Sequence, residues 1–446
     1  MPAIVRAHAF GQQYTLPLPF SLYALGAACA LIASFVFLTF FRAPHVAKTD
    51  PAAGEIIVIK RWSFVRQVLR SLGLVLFFGT VFFAYAGPQD FTVNPAPQLF
   101  WGAFLLGFTY LSVLVAGVWK YVSPFETVAR ILYSNKDASS YKYPEQFGYF
   151  PALCFYFALI WLELLSSGAG AVPAVVGTVL LGYFAVTIIG AGIFGVEDWF
   201  TYCDFFSVLF GLLGLFAPVA LHEGAVRLQL PGERLVSEKP SRFSLLLFIL
   251  FMLSSTAFDG LEETRIWWNT FYNSAFQMQF YWAERLVFLF ALPFIFLALY
   301  SLAIYLMRML AQSERRFSEL SLRFAYSLIP IAIAYNFAHY FTLLANGVQA
   351  LYAMASDPLG KGWDIFGTAH YQINAALIGA KEVWYAQFSA ILLGHIMATY
   401  VAHRIAAEEF PKQRQVLLGQ IPMLLLMIFY TVFGLWILSQ GYQGAA

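Results

Sequence analysis

Apolar runs of membrane-crossing length recur along the chain, separated by short polar loops that carry most of its charge. A helix needs roughly 20 apolar residues to cross about 30 Å of hydrocarbon. Runs of that kind occupy 18–41, 66–87, 96–118, 149–167, 172–194, 242–258, 280–307, 324–345, 383–406 and 417–440. The pattern predicts an all-α polytopic membrane protein, with about ten transmembrane helices forming one domain over 1–446. An eleventh apolar stretch, 203–220, is ambiguous on hydropathy alone.

The basic residues decide how that stretch is read. With ten spans and the N-terminus outside, Arg42, Lys60, Arg61, Lys120, Arg130, Arg234, Arg315, Arg323 and Lys412 all fall inside, and Arg6, Arg265, Lys361 and Lys381 fall outside. That asymmetry is the one cytoplasmic loops show. A crossing by 203–220 makes the two halves demand opposite orientations, so both termini are expected outside. Arg70 and Arg285 lie within spans.

An internal echo supports a non-crossing role for 203–220. WKYVSPFETV (119–128) and WFTYCDFFSV (199–208) align without gaps, with Trp119 opposite Trp199, Ser123 opposite Cys203 and Phe125 opposite Phe205. In the first copy Ser123 is an N-cap, Pro124 suits the first helical position and Glu126 completes a capping box. Interfacial or re-entrant helices are therefore expected over 124–133 and 204–218.

Composition agrees with a membrane protein and narrows the function classes. Of the 446 residues, 60% are hydrophobic and 11% charged, and the mean hydropathy is +0.70. A net charge of +2 gives no argument for a nucleic-acid partner; the expected surroundings are a lipid bilayer, crossed many times. Cys29, Cys154 and Cys203 are far apart, which suggests neither a disulfide framework nor a zinc knuckle. No Gly-rich phosphate loop, G-x-S-x-G elbow or H-E-x-x-H motif occurs. Whatever chemistry exists must lie among the helices or at their outer ends.

Ionisable groups inside spans are costly and mark pairing or function. Glu163 lies near the outer end of the fourth span, Asp259 closes the sixth, Asn336 and His339 sit in the eighth beside Tyr335, and His395 occupies the middle of the ninth. Depth along the helices puts the His339 and His395 imidazoles within about one or two turns of a common level. These residues suggest an outward-facing polar pocket with Asp259 at its mouth and the N-terminal His8 above it. Neutral imidazole is a common ligand for a divalent transition metal, and His339, His395 and Asp259 form the candidate ligand set. Glu163 and His8 stand by as outer-sphere partner or general base. The alternative is that each polar group only hydrogen-bonds a neighbouring helix. The connector ASDPLGKGWDIFGTAH, 355–370, reads either as a lid or as a plain structured loop.

HAFGQQYTLPLPF, SSTAFDG, AYNFAHYFTLL, DPLGKGWDIFGTA, GHIMATYVAH and PMLLLMIFYTVFGLWILS together resemble a group of bacterial multi-spanning inner-membrane proteins known as fenitrothion hydrolase. The resemblance implies cleavage of a small lipophilic organophosphorus triester at the P–O–aryl bond, and it admits a second membrane subunit as partner. It carries over no catalytic residues. A divalent metal that acidifies bound water would suit such a reaction. Two other functions use the same residues: a transporter or ion-handling protein with an intramembrane His/Asp relay, and a haem b carrier with His339 and His395 as axial ligands.

Overall fold

The computed structural model describes residues 16–40, 56–133, 141–240, 242–271 and 275–440. Its principal helices are α1 (Phe20–Phe40), α2 (Trp62–Ala86), α3 (Pro95–Leu114), α4 (Pro124–Leu132), α5 (Phe150–Leu165), α6 (Pro173–Phe194), α7 (Phe205–Gly214), α8 (Phe243–Glu262), α9 (Ala275–Leu310), α10 (Ile329–Met354), α11 (Ala380–Glu409) and α12 (Gln413–Gln440). Among the described residues nine helices are long and apolar enough to cross a membrane, which makes this an all-α multi-pass membrane protein. The fourth predicted span, 149–167, forms the shorter α5. The eighth is longer than its pattern suggested, because a helical turn at Phe317–Ala325 runs through Tyr326–Leu328 into α10 to give a continuous apolar element, Phe317–Met354.

The chain divides into two compact units. Unit 1 holds 54–231 and 342–375, and an aromatic layer lies at its centre. The rings of Phe104, Phe108, Trp119, Phe206 and Phe210 meet edge to face or tilted, and Phe125 stacks on Phe206 with centroids 5.9 Å apart and planes 5° from parallel. Such rings combine large buried area with a preferred geometry. The two echoed segments supply that stack. Ser123 Oγ accepts from the Glu126 amide at 3.1 Å and starts α4, and Asp204 accepts from the Ser207 amide at 2.9 Å and starts α7. The caps thus match Ser123 with Asp204 and Phe125 with Phe206, one residue out of the gapless alignment. The capped backbone break sets the register, and the paired Trp residues do not. As α7, 205–214 is a ten-residue helix, buried almost throughout and too short to span.

Asp204 is fully buried and also accepts from the Tyr183 hydroxyl at 2.5 Å. Burial pushes its carboxyl above the usual carboxylate range, and the Ser207 and Tyr183 hydrogen bonds oppose that shift.

Unit 1 also contains a small sheet that the hydrophobic pattern did not predict, of strand order β1-β4-β3-β2. Its strands are β1 (Ile56–Val58), β2 (Val115–Ala116), β3 (Val219–His222) and β4 (Ala225–Leu228). Glu223 and Gly224, both at positive φ, close the β3–β4 hairpin, a two-residue turn of the kind that matches strand twist. Strands of two to four residues are too short for an alternating pattern to show. The connector after α10 folds on its own hydrogen bonds. Ser356 Oγ accepts from the amides of Phe366 and Thr368, and Asp357 accepts from those of Lys361 and Gly362.

Of the described residues, unit 2 holds 16–40 and those within 232–341 and 376–440. Here α12 packs against α1, α9 and α11, and α8 packs against α9 and α12. Helix α8 is buried on nearly every face, as expected of a helix that is apolar all round. Its Ser254, Ser255 and Thr256 hydroxyls bond back to carbonyls of the preceding turn, so they add no unpaired polar group to the interior. At the ends of α10 and α11 an ion-pair cluster ties the unit together. Arg323, itself buried, reaches Glu408 at 2.7 Å and Glu409 at 3.1 Å.

Candidate functional site

Asp259 lies one turn before the end of α8 and is 5% exposed. A carboxylate so placed needs partners, because an unpaired charge out of water is expensive. Two come from the neighbouring α10. His339 Nε2 is 2.9 Å from Asp259 Oδ2, and the Tyr340 hydroxyl donates to the same oxygen at 2.8 Å. The His339 and Tyr340 rings meet edge to face, 4.6 Å between centroids. Donation of Nε2–H to the carboxylate puts the basic lone pair of the neutral imidazole on Nδ1. In that tautomer the acid orients the imidazole, an arrangement that can accept a proton.

Tyr335, one helical turn before His339, stacks obliquely beside it with centroids 6.4 Å apart. Its ring fits because two glycines face it. A Cβ on Gly260 of α8 would lie 3.2 Å from the Tyr335 hydroxyl, 3.7 Å from His339 Cε1 and 2.6 Å from Ile437 Cγ2; one on Gly434 of α12 would lie 3.3 Å from the Tyr335 ring. Among the described residues the buried Tyr335 hydroxyl has no hydrogen-bond partner, and the same holds for Asn336 Oδ1. Buried polar atoms are nearly always satisfied, so orphans beside an ionisable pair point to a ligand or water. One turn further along α8, Glu262 holds Arg285 of α9 through both carboxylate oxygens, and the guanidinium lies over the Tyr281 ring.

The predicted site residues divide as follows. Asp259, His339 and Tyr335 come together in unit 2, and Asn336 lies on the same helix three residues before His339. His395 does not join them. Gln387 Nε2 donates to the Ala338 carbonyl at 2.9 Å, and Gly394 packs against Ala334 and Pro330. This antiparallel register sets His395 level with Pro330, some eight residues from the level of His339, or roughly 12 Å of helix rise. Equal span boundaries had brought the imidazoles closer; the extra length of the α10 element shifts that register. His395 is buried, with Nδ1 donating to the Ile391 carbonyl at 2.8 Å and Nε2 without a partner. The set of His339, His395 and Asp259, and the axial pair of His339 and His395, are accordingly not assembled. Among the described residues no group of three or more His, Cys, Asp or Glu side chains is placed to hold a metal ion. Glu163 belongs to unit 1, in a widened turn of α5, and His8 lies outside the described residues.

Two participants escaped the sequence reading. Tyr340 sits beside His339 within AYNFAHYFTLL, and an aromatic on an apolar helix reads as packing. The Glu262–Arg285 pair joins two helices and has no local signature; the position of Arg285 inside a span was its only signal. Protein-family models, curated proteins and solved structures were all compared with this chain, and none matches.

Proposed function

We propose that the Asp259–His339 pair is the general base of a membrane-embedded hydrolase acting on small lipophilic organophosphorus triesters. The observation that carries the reading is the convergence of His339 Nε2 and the Tyr340 hydroxyl on one buried oxygen of Asp259. Such an arrangement orients an imidazole and stabilises its protonated form, the role an acid plays behind a catalytic histidine. In the proposed reaction His339 Nδ1 takes a proton from water as the water oxygen bonds to phosphorus. The P–O–aryl bond breaks, and the aryloxide leaves and takes up the proton held by His339, which restores the base. The Tyr335 hydroxyl donates to the phosphoryl oxygen as negative charge builds there. The substrate class rests on the resemblance described above and on the apolar surroundings, which suit a triester arriving from the lipid. The assay is release of the phenol from a fenitrothion-type triester by purified protein. Asp259→Asn and His339→Gln should each reduce it by about 10²- to 10⁴-fold, the usual worth of positioned acid–base groups.

A second reading is proton-coupled transport. One observation favours it: Asp259–His339 and Glu262–Arg285 are two ionisable pairs one turn apart on α8, the spacing of a relay. Proton flux into proteoliposomes that depends on both Asp259 and Glu262, without triester hydrolysis, would favour this reading over the first.

A further inference from the structure

Arg285 and Arg70 both lie inside membrane-length helices, and they are treated differently. Arg285 is held through two oxygens by Glu262. Arg70, the ninth residue of α2, forms no ion pair among the described residues. Its Nε is buried and has no hydrogen-bond partner among them. The nearest acid, Glu126 on α4, is already bound by Arg130 at 2.7 Å, and Arg130 also pairs with Glu197 at 2.9 Å.

The site lies in the groove where α2 meets α4. Gly73 lets the carbonyl of Val122 approach α2, and Phe77 meets Phe125 with centroids 5.3 Å apart. Arg70 and Arg66 continue that same face of α2 by one turn each. Arg66, Arg130 and Glu126 lie within electrostatic reach of Arg70, and Lys120 within that of Glu126 and Glu197. Four cations thus face two carboxylates, and one cation consumes both carboxylates.

We infer that this groove binds the phosphate of an anionic phospholipid, with Arg66 and Arg70 as its ligands. A guanidinium within a span is stabilised when it reaches a headgroup at the interface, and basic pockets between membrane helices are a recognised form of anionic lipid site. A lipid suits better than free phosphate because the helix has a lipid-facing surface. Ile131 and Leu132 are exposed at the end of α4, following Arg130, while Phe64, Val68, Leu72 and Val75 are exposed on the opposite face of α2. The exposed end of α4 can take acyl chains while the headgroup is held.

The test is thermal stability of the full chain in neutral detergent, titrated with phosphatidylglycerol, phosphatidylcholine or inorganic phosphate. Phosphatidylglycerol should stabilise the wild type at a concentration at least about fivefold lower than phosphatidylcholine. Arg70→Gln and Arg66→Gln should abolish that preference, and Lys142→Gln, at an exposed position, should keep it. If Arg70→Gln does not fold, Arg66→Gln decides alone, since that residue is exposed. Equal response to the two lipids, or a preference that survives Arg66→Gln, overturns the inference. The same stabilisation by inorganic phosphate alone overturns the lipid assignment.

Discussion

His339 Nε2 and Asp259 Oδ2 are 2.9 Å apart, with both side chains almost fully withdrawn from solvent. The contact joins two helices, through SSTAFDG on α8 and AYNFAHYFTLL on α10. Tyr340 adds a third group to the same oxygen. Three predictions about this unit and two about the scaffold follow from the geometry.

Tyr335→Phe separates function from stability. The hydroxyl is buried with no protein partner, so its removal sheds a desolvated polar group and loses no hydrogen bond. The variant should melt at the same temperature as wild type or slightly above it, and triester hydrolysis should fall by about tenfold or more. A lower melting temperature with unchanged turnover would show that the hydroxyl is structural.

Gly260→Ala tests how closely the helices must approach. The added methyl meets Ile437 Cγ2 at 2.6 Å and the Tyr335 hydroxyl at 3.2 Å, and overpacking of this kind costs about 1–3 kcal/mol. The melting temperature should drop and activity with it. Gly211→Ala, on the buried α7 but with no neighbour within 4 Å of its new methyl, should be neutral or stabilising, as Ala is the better helix former.

Asp204 gives a pH dependence with a definite sign. Burial raises its native pKa above the ordinary carboxylate value. Between those two values the native state holds more protons than the unfolded state, so stability falls as pH rises through that window. Asp204→Asn keeps an N-cap while removing the titration. Melting curves across that window should show a shallower decline for the variant, and parallel declines would contradict the assignment.

Arg323→Ala should be the most disruptive change in unit 2. It takes from Glu409, a largely buried acid, its 3.1 Å partner, leaving Arg315 at 3.6 Å, and frees the half-exposed Glu408; breaking a buried pair on one side costs up to about 3–5 kcal/mol. Chemical-denaturation midpoints of purified protein would report it. A loss below about 1 kcal/mol would mean that the cluster behaves as an exposed one.

The all-α, multi-pass architecture was legible in the sequence because the bilayer imposes a length and a composition on each crossing. The short helix at Phe205–Gly214 was legible too, through charge and through the echoed cap at Ser123. The β1–β4 sheet was not, since its strands are too short to show a period. Within the site, Asp259, His339, Asn336 and Tyr335 stood out because polar groups on apolar helices are rare. Depth measured from span boundaries put His395 within about one or two turns of His339, and the contacts of Gln387 and Gly394 set the offset at about two turns, too far for a shared ion. Tyr340 and Arg285 acquire meaning only through contacts between helices, which no local pattern encodes.

The central claim is that Asp259 and His339 act as one base. It is tested most directly by the turnover of a fenitrothion-type triester by purified Asp259→Asn, His339→Gln and the double variant, each checked for wild-type melting. Groups that act as a unit are strongly non-additive, so each single variant should lose about 10²-fold or more and the double variant should lose little beyond that. Full activity in either single variant, or losses that multiply in the double, would contradict the account.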